Sequence, residues 1–160
     1  MKKNDTILLS LIACALFSAC NNTTIVDEKR NFNDNTWLRF EAEEYTLNIT
    51  DVNAYYNTIA TLCYDTSYIT ERSLPLVVDF YSDTNELHNF TTQIKLRDKN
   101  GRLRGQTIGQ YCTVSDTIDH YRLYSREATY TYKIKQGTSR YALRGLSSIE
   151  VQIEKSKIKL

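Results

Sequence analysis

Proline is almost missing from these 160 residues: Pro75 stands alone, and there are only five glycines. So small a supply leaves no place for a Pro/Gly-rich linker, and the length suits one domain of ordinary size. Histidine is scarce too. His88 and His120 are the only two, and neither sits in a His-Glu-x-x-His or His-x-His pattern, so zinc is disfavoured. No Gly-x-Ser-x-Gly elbow and no phosphate-cradling glycine loop occurs. Charge of one sign is not in excess: Lys and Arg number 20 against 19 Asp and Glu, a net of +1. Binding to nucleic acid through bulk positive charge is thereby excluded. Long hydrophobic runs are also missing. The apolar stretch at 7–19 would reach only about 20 Å as a helix, short of the roughly 30 Å bilayer core.

What that stretch does fit is the apolar core of an export signal. Lys2 and Lys3 precede it, and it closes on Phe17-Ser18-Ala19-Cys20, which resembles the bacterial lipoprotein box with its small residues before a cysteine. On that reading residues 1–19 are a lipoprotein signal peptide and Cys20 is the lipidated N-terminus of the mature chain. Residues 20–31 are then expected to be a solvated tether and residues 32–160 the folded domain. Losing Lys2, Lys3 and Asp5 leaves 18 positive and 18 negative side chains, a mature charge of zero. A lipoprotein of this kind carries three acyl chains, palmitate-like in chemistry, and at about 0.8 kcal/mol per buried CH₂ that suffices for stable attachment without a transmembrane helix. The residue after Cys20 is Asn21 and not aspartate, which points to the outer rather than the inner membrane.

From Trp37 onwards the pattern is period two, the mark of half-buried strands. Tyr45, Leu47 and Ile49 share one face, as do Leu74, Leu76, Val78 and Phe80; so do Tyr130, Tyr132 and Ile134, and Ile149, Val151 and Ile153. Phe90, Ile94 and Leu96 alternate with polar residues, and 55–64, 106–114 and 119–124 are further candidates. Asp98-Lys99-Asn100-Gly101 is a hairpin signal, because Gly after Asn accommodates positive φ. Twelve tyrosines favour strands as well. The expected fold is all-β: a single antiparallel β-sandwich, Ig-like or jelly-roll-like. Pro75 belongs on an edge strand or at a strand start.

Cys63 and Cys112 remain in the mature domain of an exported protein, so a disulfide between them and two buried free thiols both stay open. Glu41, Glu43 and Glu44 form an acidic run that reads as a solvated strand end rather than as an acid/base pair. No constellation of residues supports catalysis, and none implies a metal or cofactor. Tyr55, Tyr56, Tyr64, Tyr68, Tyr121 and Tyr124 could instead line a sheet face that stacks on sugar rings. Asp116-Thr117-Ile118 resembles a short O-glycosylation motif of Bacteroidetes envelope proteins.

Taken in order, Phe32 to Phe40, Leu74-Pro75-Leu76, Leu96 to Gly105 with its Asp98–Gly101 hairpin, Tyr130 to Gln136, Leu143-Arg144-Gly145-Leu146 and Ile149 to Lys155 resemble the gliding motility lipoprotein H (GldH) family of Bacteroidetes. The similarity runs over roughly 32–155. The position after the hairpin is Leu103 where that family carries an aromatic residue, and the last strand lacks the family's extra glycine. The resemblance implies a non-enzymatic, membrane-anchored component of a cell-envelope complex tied to gliding motility and protein secretion. The alternative is a surface lipoprotein with a glycan-binding sandwich.

Overall fold

The computed structural model describes residues 23–83 and 87–159. Eleven strands follow one another with no α-helix among the described residues. They are β1 (Thr24–Asn31), β2 (Thr36–Leu38), β3 (Glu43–Ile49), β4 (Ala54–Asp65), β5 (Ser73–Ser82) and β6 (Leu87–Lys95). Then come β7 (Gln106–Ile108), β8 (Tyr111–Leu123), β9 (Ala128–Gln136), β10 (Ala142–Arg144) and β11 (Leu146–Lys159). One sheet has the order β1-β11-β4-β8-β7, a second has β3-β9-β5-β6, and β10 and β2 form a small ribbon. All pairings are antiparallel.

Without the three-residue β2, β7 and β10, eight long strands remain. The first, eighth, third and sixth make one sheet and the second, seventh, fourth and fifth the other, which is the jelly-roll order. Of the two expected sandwich types the immunoglobulin one is therefore not adopted. The core lies between the sheets and is built from the faces that alternation marks. Tyr45, Leu47 and Ile49 of β3, Leu74, Leu76, Val78 and Phe80 of β5, and Ile149, Val151 and Ile153 of β11 are all buried. Each such side chain contributes about 1.5–3 kcal/mol of transfer free energy.

Two sequence expectations change. Residues 24–31, expected as part of a solvated tether, form β1, paired with β11 from Thr24 opposite Glu154 to Asn31 opposite Ser148. Only Val26 of this strand is buried. Its charges belong to an edge strand, where they discourage further pairing. Residues 106–124, expected as two separate strands, are a hairpin turning at Gly109 and Gln110, followed by one long strand. Bulges opposite Tyr56–Ile59 of β4 interrupt the alternation of β8 and hid its continuity. Of the two readings left open for the cysteines, the free-thiol one is seen: Cys63 is half-buried and Cys112 buried, with no bond between them. Tyr64 is the register partner of Cys112, so both face the core while Cys63 lies on the opposite face of β4. Side chains on opposite faces of neighbouring strands do not meet the geometry of a disulfide.

Pro75 is the third residue of β5, and its carbonyl accepts from Gly137 N at 2.7 Å at the last rung before the β9 ladder. The edge-strand expectation does not hold, because β5 lies between β9 and β6; Pro75 precedes the first β5–β9 pair, Leu76 with Gln136, while Ser73 and Leu74 already pair with β6. The Asp98–Gly101 turn forms as read: Gly101 has φ +81°, and Asp98 Oδ1 accepts from Asn100 N at 2.8 Å and Arg102 N at 2.9 Å. Strand direction gives the molecule two poles. Thr24, Glu154 and Tyr56 lie towards one, which also holds the β3–β4 and β8–β9 turns; Asn31, Ser148 and Tyr64 lie towards the other. Eight residues of β1 separate them by roughly 26 Å.

Candidate functional site

At the far pole, away from Thr24, the β2–β10 ribbon closes the end of the sandwich. Leu38 pairs with Ala142, Trp37 with Leu143 and Thr36 with Arg144. The middle pair points inwards, and both Trp37 and Leu143 are fully buried. Trp37 stacks on Phe32 at 4.9 Å, and its Nε1 donates to the Glu41 carbonyl at 3.1 Å. A single large ring with one satisfied polar atom thus pins a three-residue strand that would otherwise fray. The preceding turn needs two left-handed residues, Asp34 at φ 52° and Asn35 at φ 49°, residue types that tolerate that region. Gly145 (φ +89°) donates its N–H to Asn35 O at 2.7 Å and lies under Tyr68, where a Cβ would collide with the tyrosine's own Cβ.

The outward pairs of the ribbon line a cleft of about 780 Å³, with the Asn31–Asn35 turn on one side and Asp65, Tyr68 and Gly145 on another. Tyr68 is the exposed ring among its lining residues, and two more exposed rings flank the ribbon, Phe40 after β2 and Tyr141 before β10. Phe40 is 78% exposed, Tyr141 66% and Tyr68 59%. Phe40 and Tyr141 meet edge to face at 6.3 Å, and the Arg39 guanidinium lies 5.9 Å from the Phe40 ring. Arg39 N donates to Tyr141 O at 2.8 Å, so backbone pairing holds the two rings together. Beyond them Ile108, 84% exposed, sits at the tip of the β7–β8 hairpin, which Thr66 N ties down by donating to Gln110 O at 2.9 Å. Large apolar side chains this exposed, on anchored backbone, are the usual composition of a protein-binding surface.

Two polar residues of the cleft are tied to its walls: Thr36 Oγ1 donates to Asp34 O at 3.0 Å, and the Asp65 carboxylate is bound from both sides. Asp65 Oδ1 accepts from Ser67 Oγ at 2.6 Å and Ser67 N at 2.8 Å, and Oδ2 accepts from Gln110 Nε2 at 2.7 Å. The Ser67 hydroxyl first, then the other donors, hold its carboxyl below the usual carboxylate range. Glu43 goes the other way: burial raises its pKa, and Arg30 at 4.0 Å opposes this. Arg144 adds an exposed cation at the ribbon edge. The arrangement suits recognition by rings, backbone and a few charges.

Other residues singled out in the sequence scatter. Cys20 lies outside the described residues. His88 and His120 are both exposed, on β6 and β8, His88 close to Phe80 and His120 beside Tyr121. Glu44 pairs with Lys133 at 2.7 Å at the start of β3, while Glu41 and Glu43 border the cleft. Asp116 binds Arg104 at 3.0 Å, and Thr117 lies within the β4–β8 ladder opposite Ile59. The six tyrosines form no platform. Tyr56, Tyr64 and Tyr124 are buried core residues, Tyr68 rims the far cleft, and Tyr55 meets Tyr121 edge to face at the opposite pole. Sequence reasoning missed Phe40, Tyr141 and Ile108, because an exposed ring is indistinguishable from a core ring until burial is known.

Fold and surface together define a jelly-roll β-sandwich with a cleft and exposed apolar rings at one end. The sequence profile of the GldH lipoprotein family matches residues 24–153, and the chain belongs to that family. It is therefore a gliding-motility-related lipoprotein anchored at a membrane of the cell envelope. Comparison with curated proteins gives no match. Among solved structures, a carbohydrate-binding module (CBM28) specific for non-crystalline cellulose is similar at 11% identity and a TM-score of 0.46, over 84% of this chain and 76% of that one. An arabinose-bound α-L-arabinofuranosidase is similar at 8% identity and a TM-score of 0.33, over 76% of this chain but only 18% of that one.

Proposed function

We propose that this protein is a non-enzymatic, lipid-anchored adaptor that presents its far pole to a protein of a gliding- or secretion-type envelope complex. Cys20 supplies the attachment, and the outer membrane is its place. The observation that carries this reading is the group of exposed rings at the cleft pole: Tyr68 lines the cleft, and Phe40 and Tyr141 flank the ribbon that Trp37 pins, at the pole opposite the start of β1. A domain held at the membrane meets membrane partners at raised effective concentration, so a modest apolar interface suffices. Family membership supports the envelope setting, and the tyrosines, dispersed between core and opposite poles, favour a protein over a sugar as partner.

The test is chemical cross-linking of intact cells followed by affinity purification of the tagged protein. Gliding or export components are expected with the native chain, and a marked loss of them with Phe40→Ser/Tyr141→Ser, whose membrane attachment stays intact. Cys20→Ala should release a folded domain and lose the same components. If Cys20→Ala stays in the membrane and remains active, the anchoring part is wrong. If the double variant retains every component, the exposed rings of the far pole are not the docking surface.

A further inference from the structure

The exposed apolar residues also gather at the opposite end, where β1 begins. Ile25 of β1, Ile158 of β11, and Tyr121 and Leu123 of β8 are each between 37% and 52% exposed. They lie at the same end of one sheet, in which β1, β11, β4 and β8 are neighbours in that order. Leu123 stands opposite Tyr55 in the ladder, and Tyr55 packs edge to face on Tyr121 at 6.4 Å. Tyr121 is held at φ 51°, a left-handed conformation unusual for a bulky side chain, and its N–H donates to Asn57 Oδ1 at 3.0 Å. An aromatic residue maintained in that backbone state at a surface bulge points to use. Lys157, also exposed, adjoins Ile158.

Chain length says what covers this patch. Thr24 opens β1 at this pole, and it follows Cys20 by four residues, which span at most roughly 14 Å. With lipid at Cys20, that pole is kept within the same distance of the headgroups, whichever way the domain turns. Tyrosine belongs at the water–lipid boundary, aliphatic side chains just below it, and lysine among anionic headgroups. We propose that the anchor pole is a second membrane contact, with Ile25, Tyr121, Leu123 and Ile158 seated in the bilayer interface and Lys157 against lipid phosphates. It rests on the anchoring at Cys20 proposed above. Two points of attachment fix the orientation of the domain, so that the far cleft faces away from the bilayer.

Trp37, the sole tryptophan, is buried at the far pole and serves as an internal reference. The lipidated full-length mature protein is reconstituted in vesicles of brominated phosphatidylcholine with phosphatidylglycerol, as native protein and as Leu123→Trp, Ile158→Trp and Phe40→Trp. Bromine quenches only indole in contact with acyl chains. The added emission of Leu123→Trp and Ile158→Trp should be largely lost, while native Trp37 and Phe40→Trp keep theirs; Lys157→Glu added to Leu123→Trp should restore part of the emission. Ile158→Trp keeps the test decisive where Leu123→Trp does not fold. Full emission from both variants in protein that floats with the vesicles overturns the proposal and leaves the patch to a protein partner. Failure to float refutes the anchor at Cys20, and the membrane contact falls with it.

Discussion

Buried tyrosine hydroxyls occur here in two states, and they make opposite predictions. Tyr132 donates its hydroxyl to Asp119 Oδ2 at 3.0 Å and meets Tyr124 Oη at 3.3 Å. Asp119 also pairs with Arg122, whose guanidinium lies 4.7 Å from the Phe80 ring and 5.6 Å from Phe90. Tyr45, equally buried, has no partner for its hydroxyl. Tyr132→Phe should therefore cost about 1–2 kcal/mol, and Tyr45→Phe should be neutral or stabilising. Urea denaturation of both variants checks this, and equal losses would refute it. Asp79 gives a pH dependence. The Lys135 ammonium at 2.6 Å, aided by Asn89 and opposed by burial, holds its carboxyl below the usual range. A group whose folded pKa is depressed stabilises above its unfolded value, near 3.9, and loses that contribution as pH falls through the folded value. The unfolding free energy should thus drop below about pH 4, and Asp79→Asn should make the drop shallower. An identical acid profile for Asp79→Asn would show that the Lys135 pair contributes nothing.

At the scale of elements, legibility followed periodicity. β3, β5, β9 and β11 could be read directly because one face is buried and the other wet, so Ile149, Val151 and Ile153 alternate with Glu150, Gln152 and Glu154. The Asp98–Gly101 hairpin could be read because its chemistry is local. β1 could not, because an edge strand with one buried residue resembles a charged linker. β2 and β10 could not, since three residues show no period and Trp37 and Leu143 acquire meaning only when paired. The exposed ring pair was illegible for the same reason: Phe40 and Tyr141 are 101 positions apart and meet where β2 pairs with β10. That ribbon depends on Gly145. Gly145→Ala puts a Cβ at φ +89° against Tyr68 and should destabilise the domain by more than about 1 kcal/mol. Thermal melts are the check; a melting temperature equal to that of the native protein would mean that the turn relaxes freely.

The whole molecule carries its most exposed apolar side chains at its two ends. Family membership sets it at a membrane, and strand direction separates the end where β1 begins from the end that holds the cleft. The division of labour proposed from this geometry is attachment at one pole and partner recognition at the other. The most direct measurement places a photo-reactive amino acid at Tyr141 and, in a separate strain, at Asp27, an exposed position midway along β1. Both strains are irradiated as intact cells. One discrete envelope protein cross-linked from position 141, weak or no adduct from position 27, and loss of the adduct in Cys20→Ala is the expected result. Adducts of equal strength from both positions, or an adduct from position 141 that survives Cys20→Ala unchanged, would contradict it.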